Sequence, residues 1–204
     1  SGATRLENLS GATAKIDVQG PQAPRIMQAL LAEPLAGMVY YSFRQNSYRG
    51  QRVLVSRTGY TGEIGFEIYL APELAAPFWQ DAVELGATPA GLGARDTLRL
   101  EIGMPLYGHE LSADRNAAAA GFERAISRNK AFIGSDRIPS TAEAGTCLVG
   151  IEMEGRRAAR RGDRVLDPDG NDIGEVTSGS FAPSLGKAVA LAYLDTEAAA
   201  IGSE

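Results

Sequence analysis

One carboxylate, Glu67, lies in a short alternating segment that runs from Gly65 to Leu70. Side chains of a strand alternate between two faces, so the apolar residues share one face while Glu67 and Tyr69 point to the other. The apolar residues are Phe66, Ile68 and Leu70. If they face the core, Glu67 faces whatever lies opposite and is available to a ligand. The pattern leaves a second interpretation open, an ordinary hairpin with Glu67 in solvent.

Three closely spaced glycines precede this segment: Gly59, Gly62 and Gly65. Val53 and Val55 share one face of an earlier strand, so the glycines lie in the connection of a hairpin. Glycine lets the backbone turn where a side chain would clash. We therefore expect a loop that approaches a planar ligand closely.

Arg95 is the second candidate for ligand binding. It lies near the start of a helix predicted over residues 92–102, where a cation opposes the positive end of the helix dipole. Its neighbour Asp96 does not face it, because residues one apart point to different sides of a helix. Either a ligand or a distant acidic residue explains this arginine.

Other catalytic chemistries lack the residues they need. His109 is the only histidine and Cys147 the only cysteine, so no nucleophile, base and orienting carboxylate come together. His109 is expected to be structural or to line the edge of a cleft. Two such residues do not complete a zinc site, and we expect no metal. Neither Gly91-Leu-Gly93 nor Gly186-Lys187 has the spacing of a nucleotide-binding loop.

Five arginines form a cluster near the C-terminal end: Arg156, Arg157, Arg160, Arg161 and Arg164. Such a cluster attracts an anionic partner or is simply a solvated basic turn. The sequence leaves both interpretations open.

The elements that position these residues follow from hydrophobic spacing. We predict a strand, a turn at Gly20-Pro21 and a helix over residues 12–31. Residues 38–70 are predicted as β structure, with a strand at 38–43 and a polar turn at 46–50. A helix is predicted from Pro72 to Gly86, with an apolar stripe. The stripe consists of Leu74, Phe78, Trp79, Val83 and Leu85.

The C-terminal part changes in character. Residues 108–129 show little periodicity, and small polar residues at 139–145 mark a domain boundary. Beyond it, short strands with tight turns are predicted, as in a small barrel or sandwich. They span residues 148–153, 163–166, 173–177 and 188–194.

Composition narrows the class of protein. The 204 residues are 44% hydrophobic and 22% charged, with a net charge of -5, which is typical of a globular protein and argues against nucleic-acid binding. No apolar run is long enough to cross a membrane. The single cysteine indicates a reducing compartment, and we expect a cytoplasmic protein.

Four stretches, in order, resemble the T-protein family of the glycine cleavage system, which are folate-dependent aminomethyltransferases. They begin with Ile16-Asp-Val-Gln19-Gly20-Pro21, Arg57-Thr-Gly-Tyr-Thr-Gly-Glu63, Gly91-Leu-Gly-Ala-Arg95-Asp96 and Gly174-Glu-Val-Thr177-Ser178-Gly179. The third stretch continues to Tyr107-Gly108-His109-Glu110. The resemblance implies an α+β fold: a folate-binding α/β region over residues 1–140, then a small antiparallel β-barrel over 145–204. It starts partway into the family pattern.

The resemblance also implies a reaction and a set of binding residues. Family members pass a one-carbon unit from the aminomethyl-lipoyl arm of the H-protein to tetrahydrofolate and release ammonia, in glycine catabolism and one-carbon metabolism. Glu67 corresponds to the pterin ligand and Arg95 to a folate contact. Tyr60 would supply an aromatic wall or a hydroxyl contact to the folate. The assisting carboxylate of the family lies upstream of Ser1, so the catalytic residue is unknown in this chain.

Related users of the same fold are the alternatives. They include the folate domains of dimethylglycine and sarcosine dehydrogenases, folate-dependent demethylases, and a non-catalytic core piece of a larger enzyme. A folate-binding protein of iron-sulfur assembly carries Lys-Gly-Cys-Tyr-x-Gly-Gln-Glu. Here the corresponding segment is Lys130-Ala-Phe-Ile-Gly134, which has no cysteine and disfavours that relative.

Overall fold

The computed structural model describes residues 4–138 and 144–202. The chain divides into two compact units, Ser1–Leu92 and Gly93–Glu204. The boundary predicted at residues 139–145 falls largely on residues 139–143, which lie outside the described residues. The division into residues 1–140 and 145–204 therefore stays a prediction. Among the described residues, no helix combines the length and apolar character needed to cross a membrane.

The first unit is a four-stranded antiparallel sheet with two helices. The strands lie in the order β1-β4-β3-β2. Their bounds are Ala14–Gln19 (β1), Phe43–Tyr48 (β2), Gln51–Ser56 (β3) and Gly65–Leu70 (β4), and the helices are Ala23–Leu30 (α1) and Pro72–Glu84 (α2).

One face of this sheet packs against both helices and forms the core. Ile68 and Val55 are completely buried with Met27 of α1 and Phe78 of α2. The predicted alternation in β4 is confirmed, because its apolar residues join this core and Glu67 points to the opposite face. The sheet thus presents the carboxylate on the face that the helices do not cover.

Two details of this unit differ from the sequence predictions. The strand predicted at 38–43 begins only at Phe43, because residues 39–42 form a turn in which the Ser42 N–H donates to the Val39 carbonyl. Tyr41 in this turn has a φ of 63°, a left-handed conformation that does not continue a strand. The hairpin turn lies at Arg49 and Gly50, both with positive φ. Asn46 instead lies buried within β2, because its amide bonds the backbone N–H and C=O of Glu33.

The apolar stripe predicted for α2 is partly wrong. Phe78 is buried, but Trp79 and Val83 are exposed. Ala82, four residues after Phe78, occupies the core-facing position instead.

Among its described residues, the second unit contains one α-helix and a second antiparallel sheet. The strands lie in the order β5-β8-β7-β6. The sequence predicted these four strands, and β7 is longer than predicted. The bounds are Leu92–Glu101 (α3), Thr146–Met153 (β5), Arg164–Leu166 (β6), Asp172–Ala182 (β7) and Lys187–Asp195 (β8). β8 is almost entirely buried. Between α3 and β5 the described residues form turns and two 3-10 helices, Glu123–Ala125 and Ser135–Arg137.

Candidate functional site

Glu67, on β4, is held in place by side chains from β1 and from the segment that follows β3. Across the sheet it is paired with Asp17 of β1 and Ser56 of β3. Lys15 Nζ lies 2.5 Å from Glu67 Oε1, and the Thr58 hydroxyl donates to Glu67 Oε2 over 2.5 Å. With 13% of its side chain exposed, Glu67 is an oriented carboxylate at the surface of the polar face.

Asp17 brings a second carboxylate to the same place. Like charges that face each other across neighbouring strands are destabilising. Lys15 offsets this repulsion, because its Nζ also lies 3.5 Å from Asp17 Oδ1. Burial alone lowers the pKa of Lys15, but the bond to Glu67 and the charge of Asp17 outweigh it and raise that pKa. Lys15 is therefore a persistent cation between two acids.

Sequence reasoning missed Lys15, Asp17 and Thr58 as site residues. The alternation that placed Glu67 on the polar face places Lys15 and Asp17 on one face of β1 as well. Only the pairing of β1 with β4 brings the two sets together. That pairing joins residues about fifty positions apart in sequence.

The glycine-rich connection folds against Gln19, at the end of β1. Gln19 Nε2 donates to the carbonyls of Thr58 (3.1 Å) and Phe66 (3.3 Å). A side chain at Gly59 or Gly65 would overlap the Gln19 amide. At these two glycines the close approach is to a protein side chain, so the predicted approach to a planar ligand stays a prediction. Gln19 Oε1 is buried without a conventional hydrogen-bond donor, against the Cα atoms of these glycines.

Tyr60 lies half-buried in this connection, between β3 and β4. Thr58, two residues earlier, bonds Glu67, so the loop that carries Tyr60 is tied to the carboxylate. The structure thereby brings the Tyr60 loop and Glu67 into one region of the first unit.

Aromatic side chains add to this region. The Tyr40 and Tyr41 rings lie 4.2 Å apart, and the Arg57 guanidinium lies 6.0 Å from the Tyr40 ring. The hydrogen bond to Tyr41 and burial raise the pKa of Tyr40, and the negative charge of Glu67 adds to this shift. Tyr40 is half-exposed. Its ring offers a surface for stacking, at a position that was predicted only as part of a strand.

Arg95 lies on α3, in the second unit, and is half-buried. Asp96 pairs with Arg99 at 2.7 Å, in agreement with the expectation that Asp96 turns away from Arg95. The structure groups Glu67 and Tyr60 in the first unit. The role of Arg95 in ligand binding stays a prediction.

A buried polar network lies in the second unit. Arg99 and Glu110 are 1% and 0% exposed and form an ion pair of 2.9 Å. Arg99 also donates to the Ser178 hydroxyl (2.8 Å), which donates to the other Glu110 oxygen (2.6 Å). Burial alone raises the pKa of Glu110, but bonds from Ser178, Thr177 and the Leu106 amide, with the charge of Arg99, lower it overall.

This network excludes a mechanism in which His109 activates Ser178 as a nucleophile. His109 Nδ1 lies 3.1 Å from Ser178 Oγ, so a histidine and a serine do meet. Because the Ser178 hydroxyl donates its hydrogen bond to Glu110, that hydrogen is not directed at His109, and His109 does not act as a base on Ser178. The network therefore links α3, the 103–111 loop and β7 as structure. Over residues 4–138 and 144–202, no group of His, Cys, Asp and Glu side chains is arranged to hold a metal ion.

The two parts of the chain match two family models in sequence. Residues 2–130 match the GCVT N-terminal domain, and residues 147–204 match the glycine cleavage T-protein C-terminal barrel domain. The chain thus has an α+β fold of the T-protein type. The chain belongs to the glycine cleavage T-protein family.

Named relatives agree with this assignment. An aminomethyltransferase of Synechococcus elongatus is 45% identical over 99% of this chain and 55% of the relative. One from Saccharopolyspora erythraea is 44% identical over 97% of this chain and 56% of the relative. The crystal structure of glycine cleavage system aminomethyltransferase T from Bartonella henselae matches with a TM-score of 0.81 and 30% identity, over 91% of this chain and 52% of that one. The chain spans about half the length of these relatives.

Proposed function

We propose that this chain contributes the folate subsite of a tetrahydrofolate-dependent aminomethyltransferase. The observation that carries the proposal is the Glu67 carboxylate, held by Lys15 and Thr58 on the uncovered face of the sheet. A pterin presents an N3–H and a 2-amino group side by side. One carboxylate accepts both, in a charge-assisted arrangement stronger than a neutral pair.

The aromatic and cationic residues complete the proposed subsite. Tyr60, and Tyr40 beside Arg57, offer ring faces against which a flat ligand stacks. Arg95 is proposed to contact the folate through its planar guanidinium. We also propose that the folate-binding region ends near residue 140 and the barrel begins near 145, which the family models at 2–130 and 147–204 support.

In the proposed reaction the lipoyl-bound aminomethyl group of an H-protein reacts with tetrahydrofolate. The carbon forms bonds to N5 and N10 of the folate, while its bonds to sulfur and to the amine nitrogen break. The two hydrogens leaving N5 and N10 end on the sulfur and on ammonia, so no oxidant is needed. Such a transfer depends on orientation and exclusion of water. The catalytic residue is unassigned, and the lone cysteine fits the cytoplasmic location that we propose.

Calorimetry with tetrahydrofolate tests the subsite. Glu67→Gln keeps the shape of the side chain and removes its charge, so we expect binding to weaken by roughly 1.5–3 kcal/mol for each charge-assisted bond lost. Glu63→Gln is the matched control, because Glu63 is exposed in the same connection and should bind as the unaltered chain does. Equal affinity of all three proteins would remove Glu67 from the site.

A further inference from the structure

The loop that joins β5 to β6, residues 154–163, is held firmly against its own sheet. The backbone N–H of Ala188 donates to Gly155 O (3.3 Å), and Gly162 N–H donates to Val176 O (2.9 Å). Gly179 of β7 has no room for a side chain, because the Ala159 carbonyl lies against it. The arginines of this loop therefore project from a fixed backbone.

Three of these arginines line one cavity of about 590 Å3, together with Asp163, Ser180 and Phe181. The Arg156 guanidinium lies 4.2 Å from the centre of the Phe181 ring. Arg160 Nη1 donates to the Gly179 carbonyl over 3.3 Å. Two of the three guanidiniums are thus oriented by neutral groups, which leave their charge uncompensated.

The charges around the cavity do not balance. In the part of the chain that the structure describes, Arg156, Arg157 and Arg160 form no ion pair. Asp163, the one acid in the lining, accepts the Arg160 backbone N–H over 2.7 Å. By contrast Arg164, beside this loop, is paired with two acids, Asp172 and Glu175.

We propose that this cavity binds a small ligand that carries two or more closely spaced carboxylate or phosphate groups. Guanidiniums bind both groups through paired N–H donors, and the Ser180 hydroxyl lies in the same lining. The volume falls within the range of small-molecule sites, roughly 300–1,000 Å3. The site lies wholly in the second unit and uses none of Glu67, Tyr60 or Arg95, so it goes beyond the proposed folate subsite.

Calorimetry on the 204-residue chain tests this proposal, with citrate and inorganic pyrophosphate as separate probes. Arg156→Gln should weaken binding about tenfold or more, the loss expected for one charge-assisted bond. Arg161→Gln is the matched control, since it removes the same charge from the same loop outside the cavity lining, and should change affinity less than about twofold.

The outcomes separate the sources of the ligand. Saturable binding of citrate alone supports a polycarboxylate, and binding of pyrophosphate alone supports a phosphorylated ligand. The proposal is overturned if both probes bind more weakly than about 1 mM, or if Arg156→Gln and Arg161→Gln weaken binding equally. Binding of a polyglutamate polymer without either small probe would also overturn it. These titrations contain no tetrahydrofolate, so their results do not depend on the proposed folate subsite.

Discussion

Replacing Lys15 by methionine should expose a repulsion that the native sheet offsets. Asp17 and Glu67 are direct neighbours across β1 and β4. Lys15 Nζ lies 3.5 Å from the first carboxylate and 2.5 Å from the second. Methionine keeps the apolar stem of the lysine and removes the ammonium. The two carboxylates then face each other with that charge gone, and we expect the free energy of unfolding to fall.

The size of the effect follows from the two interactions involved. A cross-strand pair of charges contributes roughly 0.2–1 kcal/mol, and a half-exposed ion pair about as much. Asp17→Asn in the unaltered chain removes one repulsion and one attraction, so stability should change by less than about 0.5 kcal/mol. In the Lys15→Met background the attraction to Lys15 is already gone, and the substitution still removes the repulsion from Glu67. There the same substitution should be more favourable than in the unaltered chain by about 0.5–1 kcal/mol.

Urea unfolding followed by tryptophan fluorescence measures this difference. Trp79 is the only tryptophan and lies on α2 in the first unit, so its signal reports on that unit. Lys187→Met, which removes the exposed pair with Glu152 in the second unit, is the control for loss of a positive charge. If Asp17→Asn has the same effect in both backgrounds, within about 0.3 kcal/mol, the role assigned to Lys15 is wrong.

Substitutions at three further positions, Glu110, Arg95 and Gly65, test other parts of the structure. Glu110→Ala leaves Arg99 buried without its carboxylate, so thermal melts should show a free energy of unfolding lower by about 3–5 kcal/mol. A decrease below about 1 kcal/mol would contradict the buried ion pair. Since the pKa of Glu110 is lowered from 4.5, its contribution is present above that pH and is lost as the pH falls, and Glu110→Gln should flatten this dependence. Arg95→Lys should weaken tetrahydrofolate binding and reduce the rise in melting temperature that the folate produces; an undiminished rise would assign Arg95 to the scaffold. Gly65→Ala places a methyl 2.8 Å from the Val18 carbonyl and should destabilise the first unit by about 1–3 kcal/mol in urea; an unchanged midpoint would contradict this packing.

Local spacing predicted the elements that carry Glu67 and Arg95. Period two assigned Phe66 and Ile68 to the core and Glu67 to the opposite face, and all three positions are confirmed. The helix predicted over residues 92–102, from the glycines that bound it, is confirmed as α3. These features depend on residues close in sequence, so a pattern of a few residues suffices to find them.

Contacts between residues that are far apart in the sequence could not be predicted from it. Glu67 meets Lys15 only through the pairing of β1 with β4, and Arg99 meets Ser178 across 79 positions. Tyr41 looks like a strand residue by type, yet its positive φ places it in a turn. Such contacts are set by tertiary structure, which overrides local propensity.

A crystal structure of the chain with tetrahydrofolate shows directly whether Glu67 binds the pterin. We expect both Glu67 carboxylate oxygens to lie about 2.7–2.9 Å from the pterin N3 and 2-amino nitrogens, the range of charge-assisted hydrogen bonds. We also expect the pterin ring to pack against Tyr60 or Tyr40. A pterin bound elsewhere in the chain, with the contacts of Glu67 to Lys15 and Thr58 undisturbed, would contradict the proposed folate subsite.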